Sequence, residues 1–135
     1  MELQSDSYGS DHLPTEIRQI NDEKVVVFTW DNGKQHRLSF EALRVFCPCA
    51  ECCGHTPDQA KLIDGKLNVK VTSIEGVGHY AVKIGFDDDH DSGIYDWTAL
   101  YNLGENFDKH WADYEEELQL AGKRRRPSVF AIKAV

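Results

Sequence analysis

Four cysteines stand at positions 47, 49, 52 and 53, inside seven consecutive residues. Thiolates are soft donors that suit zinc, cuprous copper and iron–sulfur clusters. The run Cys47-Pro48-Cys49-Ala50-Glu51-Cys52 reads C-x-C-x2-C, and three thiolates this close reach one ion if the backbone curls around it. Tetrahedral coordination then requires a fourth donor arriving from another direction. Cys53 is a poor choice: adjacent side chains diverge, and a lone thiol beside a ligand reads as a small buried or half-buried group. Disulfides constrain a chain most when they close longer loops than these. In a reducing compartment, clustered cysteines point to metal.

The six histidines lie at 12, 36, 55, 79, 90 and 110. His55 is close to the cysteines in sequence. His90 sits in the polar turn Asp87-Asp88-Asp89-His90-Asp91-Ser92-Gly93, at the end of a predicted strand, where a side chain projects from a fixed base. Spacing alone leaves both open as the fourth ligand. His36, His79 and His110 read as ordinary surface or core histidines. A thiol redox enzyme is a weaker reading, because Cys49 and Cys52 form a C-x-x-C pair but leave Cys47 and His90 unexplained.

The surrounding pattern predicts how such a loop is held. Strands are expected at about 15–20 and 24–30, with Asp31-Asn32-Gly33 as a hairpin turn and a short strand at about 34–38. Ser39 caps a short helix that brings Phe40, Leu43 and Phe46 to one face and runs into the cysteines. Residues 54 to 66 read as a loop. Leu67, Val69, Val71 and Ile74 suggest one strand; Tyr80, Val82, Ile84 and Phe86 another; Gly93 to Tyr95 a third. Asp96 caps a helix from Trp97, interrupted or split at Gly104. Phe107, Trp111, Tyr114, Leu118 and Ala121 then form an amphipathic stripe, spaced 4, 3, 4 and 3 residues apart, which should pack on the sheet before Gly122 stops it.

The expected organisation is a flexible polar arm over residues 1–14, one domain over 15–121, and a basic then apolar tail over 122–135. The fold class is α+β: a small, mainly antiparallel sheet, a short helix before the metal loop, and a C-terminal amphipathic helix on the sheet. Lys123-Arg124-Arg125-Arg126 reads as a solvated tail that complements the negative end of the preceding helix.

Composition narrows the function classes. The 135 residues are 41% hydrophobic and 28% charged, ordinary for a globular domain. A formal charge of −8 argues against general nucleic-acid binding. No stretch is long and apolar enough to span a membrane, and residues 1–14 lack the features of a secretory signal, so a cytoplasmic location is expected. Gly76-Val77-Gly78-His79-Tyr80-Ala81 matches a dinucleotide fingerprint, but a strand follows it where a helix is needed. Asp87, Asp89 and Asp91 begin like a calcium loop, but Ser92 and Thr98 occupy the positions that need Gly and Glu.

Several motifs in fixed order resemble a known family. These are the strand ending in Trp30, the Leu43-Arg44 step, Cys47-Pro48-Cys49-Ala50-x-Cys52, Val77-Gly78-x-Tyr80-Ala81, and His90-Asp91-Ser92-Gly93-Ile94-Tyr95-x-Trp97. Together, over about residues 15 to 103, they resemble the gamma-butyrobetaine hydroxylase-like N-terminal domain, a family that includes standalone bacterial proteins of unassigned function. In the oxygenases that carry this domain, three cysteines and a histidine hold zinc. Carried over by motif, that resemblance implies Cys47, Cys49, Cys52 and His90 as ligands, which resolves the choice between His90 and His55. The extra Cys53, the polar arm and the segment after about residue 104 depart from the pattern.

The oxygenase activity is not expected to come with the domain. A facial triad needs two histidines and a carboxylate, usually with Asp or Glu two residues after a histidine. The residues at that offset here are Pro14, Leu38, Pro57, Ala81, Ser92 and Ala112. No catalytic residues are therefore assigned. The expectation is a non-catalytic module in which zinc is structural and the partner is another protein, with a homodimer among the options. The alternative is a [2Fe–2S] cluster bound or delivered through the same ligands. A related domain at the C-terminus of a plastid P-loop iron–sulfur carrier suggests it.

Overall fold

The computed structural model describes residues 12–49 and 62–126. Two antiparallel three-stranded meanders follow one another along the chain. The first contains β1 (Pro14–Ile20), β2 (Val25–Trp30) and β3 (Gln35–Ser39). The second contains β4 (Val71–Val77), β5 (Ala81–Phe86) and β6 (Gly93–Asp96). Each sheet has its strands in sequence order, as expected when short turns connect neighbours. The fold class is α+β, as the sequence suggested, but with two small sheets in place of one. The periodicity of each strand was legible, whereas whether the two meanders would share an edge in one sheet was not.

Local chemistry explains the elements. Val25, Val26, Val27 and Phe28 are strong strand formers, and Val26 and Phe28 are fully buried. Helix α1 (Phe40–Val45) starts at Ser39, whose hydroxyl accepts from the Ala42 amide at 3.0 Å. Helix α2 (Trp97–Glu105) starts at Asp96, whose carboxylate accepts from the Ala99 amide at 2.7 Å. Helix α3 (Phe107–Ala121) ends at Gly122 in the left-handed region, φ 70°. Strand β4 begins later than the Leu67–Ile74 alternation suggests, because residues 66 to 69 form a turn in which the Val69 amide donates to the Lys66 carbonyl.

The helix break falls at Asn106, two residues beyond Gly104. Gly104 has another task. A Cβ there would stand 2.3 Å from the His36 ring, so only glycine lets α2 lie this close to β3. His36 itself is fixed at both ring nitrogens. Trp30 Nε1, which can only donate, bonds Nδ1 at 2.9 Å, so Nε2 carries the proton and faces Glu105 Oε2 at 2.8 Å. Lys34 closes the network on the other oxygen of Glu105 at 2.8 Å.

The core runs from Val26, Phe28, Trp30 and Leu38 on the first sheet, through Phe40 and Leu43, to Val82, Ile84, Phe86 and Tyr95 on the second. Leu100 and Leu103 of α2 cover it against the strands. In α3 the predicted stripe is buried at Tyr114 and Leu118, half-buried at Phe107 and Trp111, and exposed at Ala121. Its aromatic part meets Phe46, at centroid distances of 6.2 Å for Trp111 and 6.0 Å for Tyr114. The C-terminal helices therefore cover both the sheets and the base of the cysteine loop.

Candidate metal centre

Three of the four predicted ligands come together. Cys47 and Cys49 follow α1, and His90 lies in the turn after β5, on the second sheet. His90 Nε2 is 3.2 Å from Cys47 Sγ and 3.3 Å from Cys49 Sγ, and all three donors lie within 4.8 Å of one another. Around one tetrahedral zinc, sulfur and nitrogen donors are separated by about 3.6 Å, given bonds of about 2.3 and 2.0–2.1 Å. The donor set and its spacing therefore fit a single metal ion. Among the described residues, this is the group of histidine, cysteine and acidic side chains close enough to share one. Cys52, the third predicted cysteine ligand, lies outside the described residues, as do Cys53 and His55.

Both sides of the site are buried: Cys47 is 1% and His90 8% exposed. The backbone that presents them is tied down locally. The Phe46 amide bonds the Ala42 carbonyl at 3.0 Å, and the Cys47 amide bonds the Arg44 carbonyl at 3.3 Å, so the cysteines leave on a closed helical turn. On the other side, the Phe86 amide bonds the His90 carbonyl at 2.8 Å, closing the turn. Asp89 within it takes a positive φ of 65°. The start of β6 presses against the site as well. A Cβ on Gly93 would meet Cys47 Sγ at 2.6 Å, so Gly93 allows β6 to pass directly beside the thiol.

Asp88 organises the surroundings. Its Oδ2 accepts from Arg44 Nε at 2.9 Å and from Lys66 Nζ at 2.6 Å, while Oδ1 accepts from the His90 amide at 3.3 Å. Burial pushes its carboxyl up, but the hydrogen bonds and charges of Lys66 and Arg44 outweigh this and hold it below the usual range. One carboxylate thus joins the helix before the cysteine loop, the segment after it, and the histidine turn. Tyr95 adds a hydrogen bond from its hydroxyl to the Leu43 carbonyl. These contacts give the Leu43-Arg44 step a physical role: its carbonyl and its guanidinium dock the metal-loop helix onto the second sheet.

The chain matches the model of the family described as gamma-butyrobetaine hydroxylase-like, N-terminal, over residues 17–101. It belongs to that family. Solved structures agree with this. One solution structure is 39% identical with a TM-score of 0.75, covering 92% of this chain and 98% of its own. Another solution structure is 38% identical with a TM-score of 0.76, covering 93% and 96%. A crystal structure of a protein of unknown function from Acidithiobacillus ferrooxidans ATCC 23270, assigned to the DUF971 family, is 40% identical. Its TM-score is 0.58, and it covers 67% of this chain and 91% of its own. No curated protein matches the chain. Among the described residues, no helix of this gamma-butyrobetaine hydroxylase-like domain is long and apolar enough to cross a membrane.

Sequence reasoning missed Asp88, Lys66 and Gly93 as supports of the site. Gly93 carried a signal, because it closes the His90-Asp91-Ser92-Gly93 motif. Asp88 was hidden among three successive aspartates, and only the fold shows that it is the one aimed at Arg44 and Lys66. The basic cluster also differs from expectation. Arg125 is no solvated tail residue: it makes a two-point bond to Glu41 and lies 5.2 Å over the Trp111 ring.

Proposed function

We propose that this protein is a non-catalytic zinc module of the cytoplasm that serves a protein partner. Cys47, Cys49 and His90, with Cys52 supplied from the C-x-C-x2-C run, would hold the ion. The observation that carries this reading is the approach of His90 Nε2 to both thiols at 3.2 and 3.3 Å from a separate sheet. A site filled by four protein donors is closed, and closed zinc sites stabilise structure without offering a position to substrate. Zinc bound here would supply a cross-link between the α1 end of the chain and the β5–β6 turn. Structural zinc contributes about 10–16 kcal/mol in small peptides, ample to organise a polar loop. The cytoplasm keeps the thiols reduced and available.

The deciding experiment is zinc, iron and acid-labile sulfide content of protein purified without oxygen, with a visible spectrum. About one zinc per chain, with no sulfide and no visible absorption, is the expected result. Iron with stoichiometric sulfide and a brown solution would overturn it in favour of a [2Fe–2S] protein using the same donors.

A further inference from the structure

The C-x-C-x2-C run starts two residues after α1, and the chain is described again from residue 62. The segment after α3 ties these two points together. Glu41, in the first turn of α1, is 5% exposed, and both its oxygens are bonded by Arg125, Oε2 to Nε at 2.8 Å and Oε1 to Nη2 at 2.7 Å. The same segment holds the returning chain: the Gly65 amide donates to the Arg124 carbonyl and the Leu67 amide to the Arg125 carbonyl, each at 2.9 Å. The guanidinium lies over Trp111, whose ring faces Phe46 at the loop's entry. Tyr114 of α3 adds a bond from its hydroxyl to the Ile63 carbonyl at 2.6 Å.

Helix α1 and the segment at residues 65–67 are therefore joined by one residue that belongs to neither. A buried carboxylate held by a two-point guanidinium fork has a fixed direction as well as a fixed position. Glu41 and Arg44 lie on the same short helix, so one turn of α1 is gripped from the C-terminal strap and from Asp88. That turn sets where Cys47 and Cys49 emerge.

We infer that Arg125 is a positioning residue for Cys47 and Cys49, and that the strap over residues 124–125 governs how tightly these thiols keep their ion; this rests on the zinc reading above. Groups hydrogen-bonded directly to metal ligands change affinity about 10–100-fold when removed, and Arg125, which acts through Glu41 and α1, stands one step further out.

The test compares the zinc-loaded full-length chain with Arg125→Ala, Arg125→Lys and Glu41→Gln, using Lys123→Ala as a control. Two rates are read: zinc transfer to a colorimetric chelator, and alkylation of Cys47 and Cys49 in metal-free protein by mass spectrometry. Circular dichroism checks folding, and if Arg125→Ala does not fold, Arg125→Lys and Glu41→Gln carry the comparison. Arg125→Ala should release zinc faster by about 3–10-fold, less than the loss of a direct partner of a ligand. Arg125→Lys should recover part of the loss, since an ammonium cannot reproduce the fork, and Lys123→Ala should match the parent. Release from a folded Arg125→Ala protein within twofold of the parent overturns the strap and leaves the zinc reading standing. A parent that holds no zinc overturns the zinc reading instead. The alkylation rates then decide the strap: faster labelling in Arg125→Ala upholds it, and equal labelling overturns it.

Discussion

Gly93 and Cys47 are in contact across the boundary between the second sheet and the metal loop. A methyl group at Gly93 would stand 2.6 Å from the Cys47 sulfur and 3.0 Å from the Tyr95 ring. Gly93→Ala must therefore move either β6 or the thiol. Overpacking of this kind costs about 1–3 kcal/mol. The expected outcome is a lower melting temperature together with reduced zinc content at equal zinc supply. A variant that melts lower but keeps full metal content would show that the thiol has room to move.

The ligand set makes a sharper demand. Cys49→Ser and His90→Ala each remove a donor from the group that meets within 4.8 Å, and both should lose bound metal and loosen the fold. Cys53→Ser should lose neither. Metal analysis after dialysis, paired with thermal melts with and without chelator, checks this. In the two ligand variants, chelator should no longer shift the melt. Metal loss on Cys53→Ser would show that the adjacent thiol supplies a ligand.

Gly104→Ala separates local propensity from packing. Within a helix, alanine is favoured over glycine by about 1 kcal/mol, so helix propensity alone predicts a more stable protein. The structure predicts the reverse, because the new methyl would meet the His36 ring at 2.3 Å and disturb its bonds to Trp30 and Glu105. A net loss of about 1–3 kcal/mol is expected from the urea midpoint.

Alkaline pH should weaken the contact between α3 and the segment at Ile63. Burial, with the nearby charges of Glu41 and Asp64, pushes the Tyr114 hydroxyl up to about 12 against the opposing effect of Arg125. The folded protein thus holds this proton where the unfolded chain has released it. The associated stability is fully present below about pH 10, the ordinary tyrosine value, and is lost as pH rises towards about 12. Urea titrations between pH 9 and 12 should show that decline, and Tyr114→Phe should flatten it. Tyr114→Phe should also lose about 1 kcal/mol at neutral pH through its bond to Ile63.

Much of this molecule was legible because it is local. Ser39 and Asp96 cap their helices through side chains three residues from the amides they accept, and the Asn-Gly turn lies between strands that it joins directly. His90 was legible only through the motif that surrounds it. What escaped depends on separation along the chain. Glu41 and Arg125 are 84 residues apart, and neither has neighbours that announce the other. Gly104 reads as a helix interruption until His36 is seen against it, 68 positions earlier in the numbering. The division into two sheets follows from which edges pair, and alternation within a strand is silent about that. Asp88 is chosen from its neighbours by geometry alone.

The separation of the donors also bears on when metal can be captured. His90 is 43 residues from Cys47 and 41 from Cys49, and it reaches them only from a turn whose shape needs β5 and its continuation to be in place. A nascent or unfolded chain offers the cysteine run without its histidine. The complete donor set exists only after both meanders have formed and docked. Any ion that needs His90 as well as the two thiols would then be held by the finished fold and not by the cysteine run alone.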